Sequence, residues 1–174
     1  MDHFENLRTI AEVATAFAGF TGVVIILGHR SAGAWSDAEQ STIRILLEAA
    51  IGVVFFALLP TVFALNLAIP TTWRLAAGLL TIYHLAILLR ADVLDRRQAG
   101  QLIGRRLDWG LSITGIISIL ATALVAFGLL SYAAALVYTL ALLHLLLVAA
   151  LSFAGLLLSG GKPAAEQAAA ADGR

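Results

Sequence analysis

The chain has 174 residues, of which 60% are hydrophobic and 13% are charged, and its formal net charge is zero. A soluble domain usually contains about 45–50% apolar and about 25% charged residues, so this composition indicates a membrane protein. The absence of cysteine excludes disulfides, thiolate metal sites and cysteine nucleophiles, and the neutral charge balance offers nothing that would attract a polyanionic partner.

Five apolar stretches follow one another and predict an all-α bundle of five transmembrane helices, because about 20 apolar residues cross the bilayer core as a helix. The first, at 7–27, contains Ala18 and Gly22 at a spacing typical of helices that pack closely in lipid, so we expect it to be buried in the bundle. The others are 41–69, 73–94, 109–130 and 133–158. Residues 1–158 are expected to form one domain, and the tail 159–174, which has no apolar stripe, to be disordered.

The second span is longer than a bilayer requires and contains a proline. A helix over 41–69 would extend about 43 Å, whereas the bilayer core is about 30 Å thick. Pro60 lacks an amide hydrogen and clashes with the preceding turn, so we expect the helix to bend there. The carbonyl of Phe56 loses its helical partner, and we expect it to face the bundle or water instead of lipid. Pro70 is expected to end the helix at Ile69.

The distribution of basic residues predicts the orientation of the bundle. Five crossings place the termini on opposite sides, and cytoplasmic segments carry an excess of Lys and Arg. With the N-terminus outside, Arg8 and Arg74 are the two outer basic residues. The nine on the cytoplasmic side are Arg30, Arg44, Arg90, Arg96, Arg97, Arg105, Arg106, Lys162 and Arg174. We therefore expect the N-terminus outside and the C-terminus in the cytoplasm.

Two glutamates each lie four residues after an arginine, in the pairs Arg8–Glu12 and Arg44–Glu48. Residues four apart share a helix face. Each arginine can therefore neutralise its glutamate and reach towards the headgroups, which lowers the cost of insertion. The alternative is that a glutamate faces the bundle interior or an oligomer axis and contacts an ion or proton. Glu12 shares its face with Thr15, which favours an interior position.

Two histidines lie at matching depths in the third and fifth spans. His84 is twelve residues after Thr72, and His144 is twelve after Tyr132, in helices that both run inward. The alternatives are two unrelated histidines, a proton relay, or a bis-histidine haem b, for which neither histidine has a flanking glycine that would admit the macrocycle. Apart from that haem, neither a metal site nor a cofactor is predicted. The candidates for an ion or proton pathway are Glu12, Glu48, Asn66, His84 and His144.

The fourth span carries a small or hydroxyl-bearing residue at every fourth position. These residues are Gly110, Thr114, Ser118, Thr122 and Ala126. Small residues on one side of a helix favour close packing against another helix in lipid. We expect such packing, with a polar pore lining as the alternative.

A polar segment at 91–108 contains two pairs of arginines. The pairs are Arg96–Arg97 and Arg105–Arg106, with aspartates nearby that offset part of the charge. Their ordinary role is to fix topology, and the alternative is binding of anionic lipid headgroups or a cytoplasmic partner. Nucleic-acid binding is not expected, because no aromatic residues alternate with the arginines and no recognition motif is present.

The segments IAEVATAFAGFTGVVIILG at 10–28 and RILLEAAIGVVFFALLP at 44–60 resemble those of small, uncharacterised bacterial inner-membrane proteins. The resemblance implies a bacterial cytoplasmic membrane and carries no activity with it. The sequence has no Gly-x-Ser-x-Gly, Walker or His-Glu-x-x-His motif, so an enzyme is not expected.

Together these features predict a small integral membrane protein that acts as a homo-oligomeric, channel-like or ion-conducting subunit. The alternatives are a non-transporting module that binds a partner or anionic lipid through the basic loop, and a membrane haem-b protein.

Overall fold

The computed structural model describes residues 3–32, 37–95 and 105–159, and these ranges fold into α-helices with no strand among them. The helices are α1 (His3–Ala32), α2 (Asp37–Phe63), α3 (Ile69–Asp95), α4 (Arg105–Ala126) and α5 (Ala134–Ser159). A short 3₁₀ helix, Ser131–Ala133, leads into α5. The predicted all-α architecture is confirmed.

Four segments of the described chain are long and apolar enough to cross a membrane. They are His3–Ile26, Thr42–Phe63, Ile69–Arg90 and Ser131–Leu157, whereas α4 contributes a shorter apolar stretch, Gly110–Ala126. Large apolar side chains such as Phe20, Ile51 and Ile82 point outward, which is costly against water but not against lipid tails. The structure therefore establishes four candidate spans, and the fifth stays a prediction.

The ends of α2 and α3 differ from the sequence prediction. α2 ends at Phe63, so Pro60 lies in its last turn instead of dividing a longer helix, and Asn66 lies in the turn that follows. α3 begins at Ile69, before Pro70. The missing N–H of a proline needs no partner in the first turn of a helix, so Pro70 lies within the third helix, and the prediction that it ends the second helix at Ile69 is wrong.

Helix α5 packs against each of the four other helices, and α2 packs against α1, α3 and α5. Small residues form one of these contacts, in which Ala49 and Ala50 of α2 lie against Ala149 of α5 with Ala18 of α1 alongside. A larger cluster fills the rest of the core. Its most buried large members include Leu7, Val53, Leu80, Tyr138, Leu142 and Leu145.

Helix α1 touches the bundle along one face only. Leu7, Ala11 and Ala14 are buried, whereas Gly19 is exposed and no neighbouring side chain approaches the Cβ position of Gly19 or Gly22 within 4 Å. The prediction that this helix is buried in the bundle is therefore wrong for its outward face. The small residues on that face leave its backbone open to close approach by another helix.

The connection between α4 and α5 depends on Gly128, whose φ is +81°. The N–H of Gly128 donates to the carbonyl of Val125 at 2.9 Å, and that of Leu129 donates to Leu124 at 2.9 Å. These are the paired bonds of a Schellman turn, which requires a left-handed residue. The guanidinium of Arg74 covers Gly128 so closely that an added Cβ would overlap it.

We expect Gly128→Ala to lower the free energy of unfolding by about 1–2 kcal/mol, because an L side chain disfavours the left-handed conformation. The measurement is thermal denaturation in detergent. Gly110→Ala is the matched control, since a Cβ at that helical position meets nothing within 4 Å. Equal stability of the two variants would show that the turn relaxes without cost.

Candidate functional site

Two ring contacts show that α3 and α5 run in the same direction. Trp73 of α3 packs against Tyr138 of α5 with ring centroids 5.7 Å apart. Further along both helices, His84 packs against His144 with centroids 5.2 Å apart. The two contacts occur in the same order on both helices, so the helices are parallel. The prediction that the two histidines share one depth is confirmed.

The histidine pair lies within apolar segments that can span a membrane. Only 3% of His84 is exposed, and His144 is partly buried. The two imidazole planes are inclined by 33°. Ionisable side chains at such positions are expensive to insert, and they usually mark a proton or ion pathway.

Thr114 of α4 lies within hydrogen-bond distance of His144. The Oγ1 atom of Thr114 lies 3.0 Å from the carbonyl oxygen of Gly110 and 3.1 Å from that of Leu111. It is also 3.1 Å from Nε2 of His144, and the direction of that bond follows the tautomer of the imidazole. A hydroxyl can donate or accept, so Thr114 can pair with His144 in either tautomer.

Three buried polar atoms in this region have no hydrogen-bond partner within the described parts of the chain. They are Nδ1 of His84, Nδ1 of His144 and Oγ of Ser118. Buried polar groups are nearly always bonded in folded proteins, so each exception calls for an explanation. His84, His144 and Ser118 belong to three different helices, and Ser118 lies one turn from Thr114. We therefore take this group of side chains as the candidate site for passing a proton or another hydrogen-bonding ion or molecule.

The hydroxyl residues of α4 face α3 and α5. Thr81 of α3 donates to Oγ1 of Thr122 at 2.9 Å, and Thr122 donates to the carbonyl of Ser118 at 2.9 Å. At the C-terminal end of the stripe, the Cβ of Ala126 lies 3.6 Å from the Cβ position of Gly78. The predicted packing of the α4 stripe against another helix is confirmed for its second half, whereas Gly110 and Thr114 are exposed. Thr114 brings one hydroxyl group to His144.

Sequence reasoning missed two residues that shape this centre. A Cβ at Gly115 would lie 3.5 Å from Cε1 of His144, which is an ordinary contact distance, so the imidazole packs directly beside α4 at this residue. Gly115 directly follows Thr114 and falls off the four-residue stripe, which is why the pattern did not reveal it. Thr81 lies one turn before His84, and that spacing was a signal available in the sequence.

Glu48, in the first half of α2, is held by charges from two helices. Its Oε1 atom lies 2.9 Å from Nε of Arg44 and 3.6 Å from Nη1 of Arg90. Tyr83, the neighbour of His84 in α3, donates its hydroxyl to the backbone carbonyl of Glu48 at 2.5 Å. The predicted Arg44–Glu48 pair is therefore confirmed, and Arg90 is a partner that sequence spacing did not reveal.

Glu12 and Asn66 lie away from the histidine pair. The Glu12 side chain is 65% exposed and bonds to Nε of Arg8 at 3.1 Å, as its spacing predicts. The alternative that Glu12 faces the interior of the bundle is wrong for the single subunit, because the buried face of α1 is formed by Leu7, Ile10 and Ala14. Asn66 is exposed in the turn after α2.

The remaining candidate residues are placed only in part. His84 and His144 contact one another directly, so a haem held between them would require α3 and α5 to separate. Arg96 and Arg97 lie outside the described residues, and Arg105 and Arg106 are described only as the start of the α4 backbone. The predicted tail lies outside the described residues from 160 onward.

Comparison with models of protein families, with curated proteins and with solved structures finds no match to this chain. The resemblance to bacterial inner-membrane proteins therefore stays a prediction, and the function is argued from the site alone.

Proposed function

We propose that this chain is an integral membrane protein that conducts cations through its helical bundle, and that the cargo its site fits best is the proton. The observation that carries the proposal is the contact between His84 and His144 inside apolar spans, with Nδ1 of each ring buried and unpartnered among the described residues. The role is transport, not catalysis.

Imidazole suits proton transfer because it gains and loses a proton near neutral pH and offers two nitrogens for doing so. Nδ1 of His144 has no partner among the described residues, and Nε2 contacts Thr114; in the tautomer with the hydrogen on Nε2, Nδ1 is an open acceptor. A proton bound at Nδ1 and another released from Nε2 would move one positive charge through the ring and leave the ring neutral. The neighbouring ring of His84 supplies the next donor or acceptor at contact distance.

The setting we propose is the cytoplasmic membrane of a bacterium, with five spans and the N-terminus outside. The nine-to-two distribution of basic residues supports this orientation. The fifth span would be α4, whose apolar stretch Gly110–Ala126 packs against α3 and α5.

We further propose that the subunit forms a homo-oligomer through α1. The outward face of α1 offers Gly19 and Gly22, at which no neighbouring atom approaches within 4 Å. Small residues there would let a second α1 come close, which is how helices associate in lipid. The exposed Arg8–Glu12 pair lies on the same helix near its start.

Proton flux into liposomes tests the proposal. Purified protein is reconstituted with a pH-sensitive dye inside, and a potassium gradient with valinomycin drives proton entry. We expect flux above that of empty liposomes, and a loss of about 100-fold in His84→Asn and His144→Asn, the lower end of what one positioned proton-transfer group contributes.

His3→Asn is the matched control, because His3 is an exposed histidine that contacts Trp73 near the start of α1. Thr114→Val removes the oxygen that orients His144 while keeping the shape of the side chain, so it should reduce flux without unfolding the protein. A wild-type protein that conducts no better than empty liposomes would overturn the proposal, as would histidine variants that conduct like wild type.

A further inference from the structure

We infer that Arg44 and Arg90, at the end of the bundle where α2 begins and α3 leaves the membrane, form a binding site for the phosphate of an anionic phospholipid. This inference concerns a site apart from the histidine pair and does not depend on proton conduction. Its occupant is a lipid headgroup, whose phosphodiester and net negative charge match two adjacent guanidinium groups.

The depth of the two arginines matches that of the headgroups. Arg44 is the third residue of the apolar segment Thr42–Phe63, and Arg90 is the last residue of the segment Ile69–Arg90. α2 and α3 are joined by a short turn and run antiparallel, so these two segment ends reach the same membrane boundary. The bond between Tyr83 and the Glu48 carbonyl, at 2.5 Å, holds the two helices together there.

The ion-paired side chains described at this boundary are not balanced in charge. Arg44 and Arg90 share Glu48, so the group of three carries one net positive charge. A guanidinium has five N–H donors, whereas one carboxylate accepts about four hydrogen bonds, so the pair of arginines has donors to spare. Both side chains are open to an incoming ligand, with 67% of Arg44 and 63% of Arg90 exposed.

The geometry allows Arg90 to bind a phosphate in place of Glu48. The Arg90 contact to Glu48 is 3.6 Å, longer than a hydrogen bond, so Arg90 is attracted to the carboxylate without being bonded to it. A phosphate between the two guanidinium groups would accept short, charge-assisted bonds from both. Basic sites between spans on the cytoplasmic side are a general means of holding anionic headgroups.

The test is native mass spectrometry of the full chain in detergent, titrated with phosphatidylglycerol and, separately, with zwitterionic phosphatidylcholine of the same acyl chains. We expect tighter binding of phosphatidylglycerol and a loss of about fivefold in its affinity in Arg90→Gln. Glu48→Gln should bind more tightly than wild type, because it removes the competing carboxylate and keeps the shape of the side chain.

Arg8→Gln is the matched control, because Arg8–Glu12 has the same spacing as Arg44–Glu48 and Arg8 is exposed like Arg44, but no second arginine of the described residues is paired with Glu12. An equal loss of affinity for phosphatidylglycerol in Arg8→Gln and Arg90→Gln would overturn the inference, since the loss would then follow from the surface charge in general. A preference for phosphatidylglycerol that survives in Arg90→Gln would overturn it as well. Competition by millimolar inorganic phosphate as effective as that of the lipid would show a free-anion site and overturn the lipid assignment.

Discussion

Tyr138→Phe is expected to lower the free energy of unfolding by about 1–3 kcal/mol, the cost of leaving a buried hydrogen-bonding group without a partner. The hydroxyl of Tyr138 donates to the carbonyl of Phe56 at 2.6 Å, across the buried contact between α5 and α2. That carbonyl has no helical partner, because residue 60 is proline and has no N–H to donate. Tyr138 thus replaces, from a different helix, the bond that Pro60 removes.

A double-mutant cycle with Pro60→Ala isolates this relationship. Alanine at residue 60 restores a donor to the Phe56 carbonyl, so Tyr138→Phe should cost less in that background than in wild type. We expect an interaction energy of about 1 kcal/mol between the two sites. Thermal and denaturant unfolding in one detergent measure all four proteins under the same conditions.

Tyr132→Phe is the control for loss of a tyrosine hydroxyl, since Tyr132 is 87% exposed. It should leave stability unchanged. If Tyr138→Phe costs the same with proline and with alanine at residue 60, the Tyr138 hydroxyl does not compensate for the proline, and its stabilising effect has another source.

The need for that bond could be predicted from the sequence, but its donor could not. The absence of N–H at Pro60 is a local, covalent fact, and it correctly placed the Phe56 carbonyl in the bundle, where the structure finds it bonded. Tyr138 lies 82 residues away, and no periodicity within one helix identifies a partner on another. The position of the helix end was also missed, because α2 stops at Phe63 and Pro60 acts in its last turn.

The spacing of residues along one helix correctly predicts contacts within that helix. It does not predict which side of the helix packs against the bundle. The pairs Arg8–Glu12 and Arg44–Glu48 both form as their four-residue spacing requires. α1, however, turns Glu12 outward, because small residues lie on more than one of its sides and the pattern does not say which side meets the bundle. In lipid both sides of a helix are apolar, so the contrast that orients a soluble helix is weak.

The sequence predicts that His84 and His144 lie at the same height, but it does not predict that their rings face one another. Counting from the two helix starts placed His84 and His144 at one height, which the ring contact confirms. Their rotation about α3 and α5 depends on how all the helices pack together. The roles of Thr114 and Gly115 follow from α4 lying beside α5, and sequence spacing carries no information about that neighbour.

Gly52→Ala is expected to destabilise the protein by about 1–3 kcal/mol, the usual cost of overpacking a filled core. Gly52 is buried in α2, and the phenol ring of Tyr83 lies over it so closely that an added Cβ would overlap the ring. Tyr83 cannot simply move aside, because its hydroxyl is bonded to the Glu48 carbonyl and its ring packs against Phe56 with centroids 5.0 Å apart. A methyl group therefore disturbs both contacts between α2 and α3.

Gly78→Ala is the matched control, because Gly78 is a partly buried helical glycine whose Cβ would meet only Ala126 at 3.6 Å, an ordinary contact. Both substitutions gain helix propensity of about 1 kcal/mol, so Gly78→Ala should be neutral or stabilising while Gly52→Ala is destabilising. Tyr83→Leu, which removes the ring, should abolish most of the difference when combined with Gly52→Ala. If Gly52→Ala is as stable as Gly78→Ala, or if Tyr83→Leu fails to relieve its cost, Tyr83 does not require a glycine at residue 52.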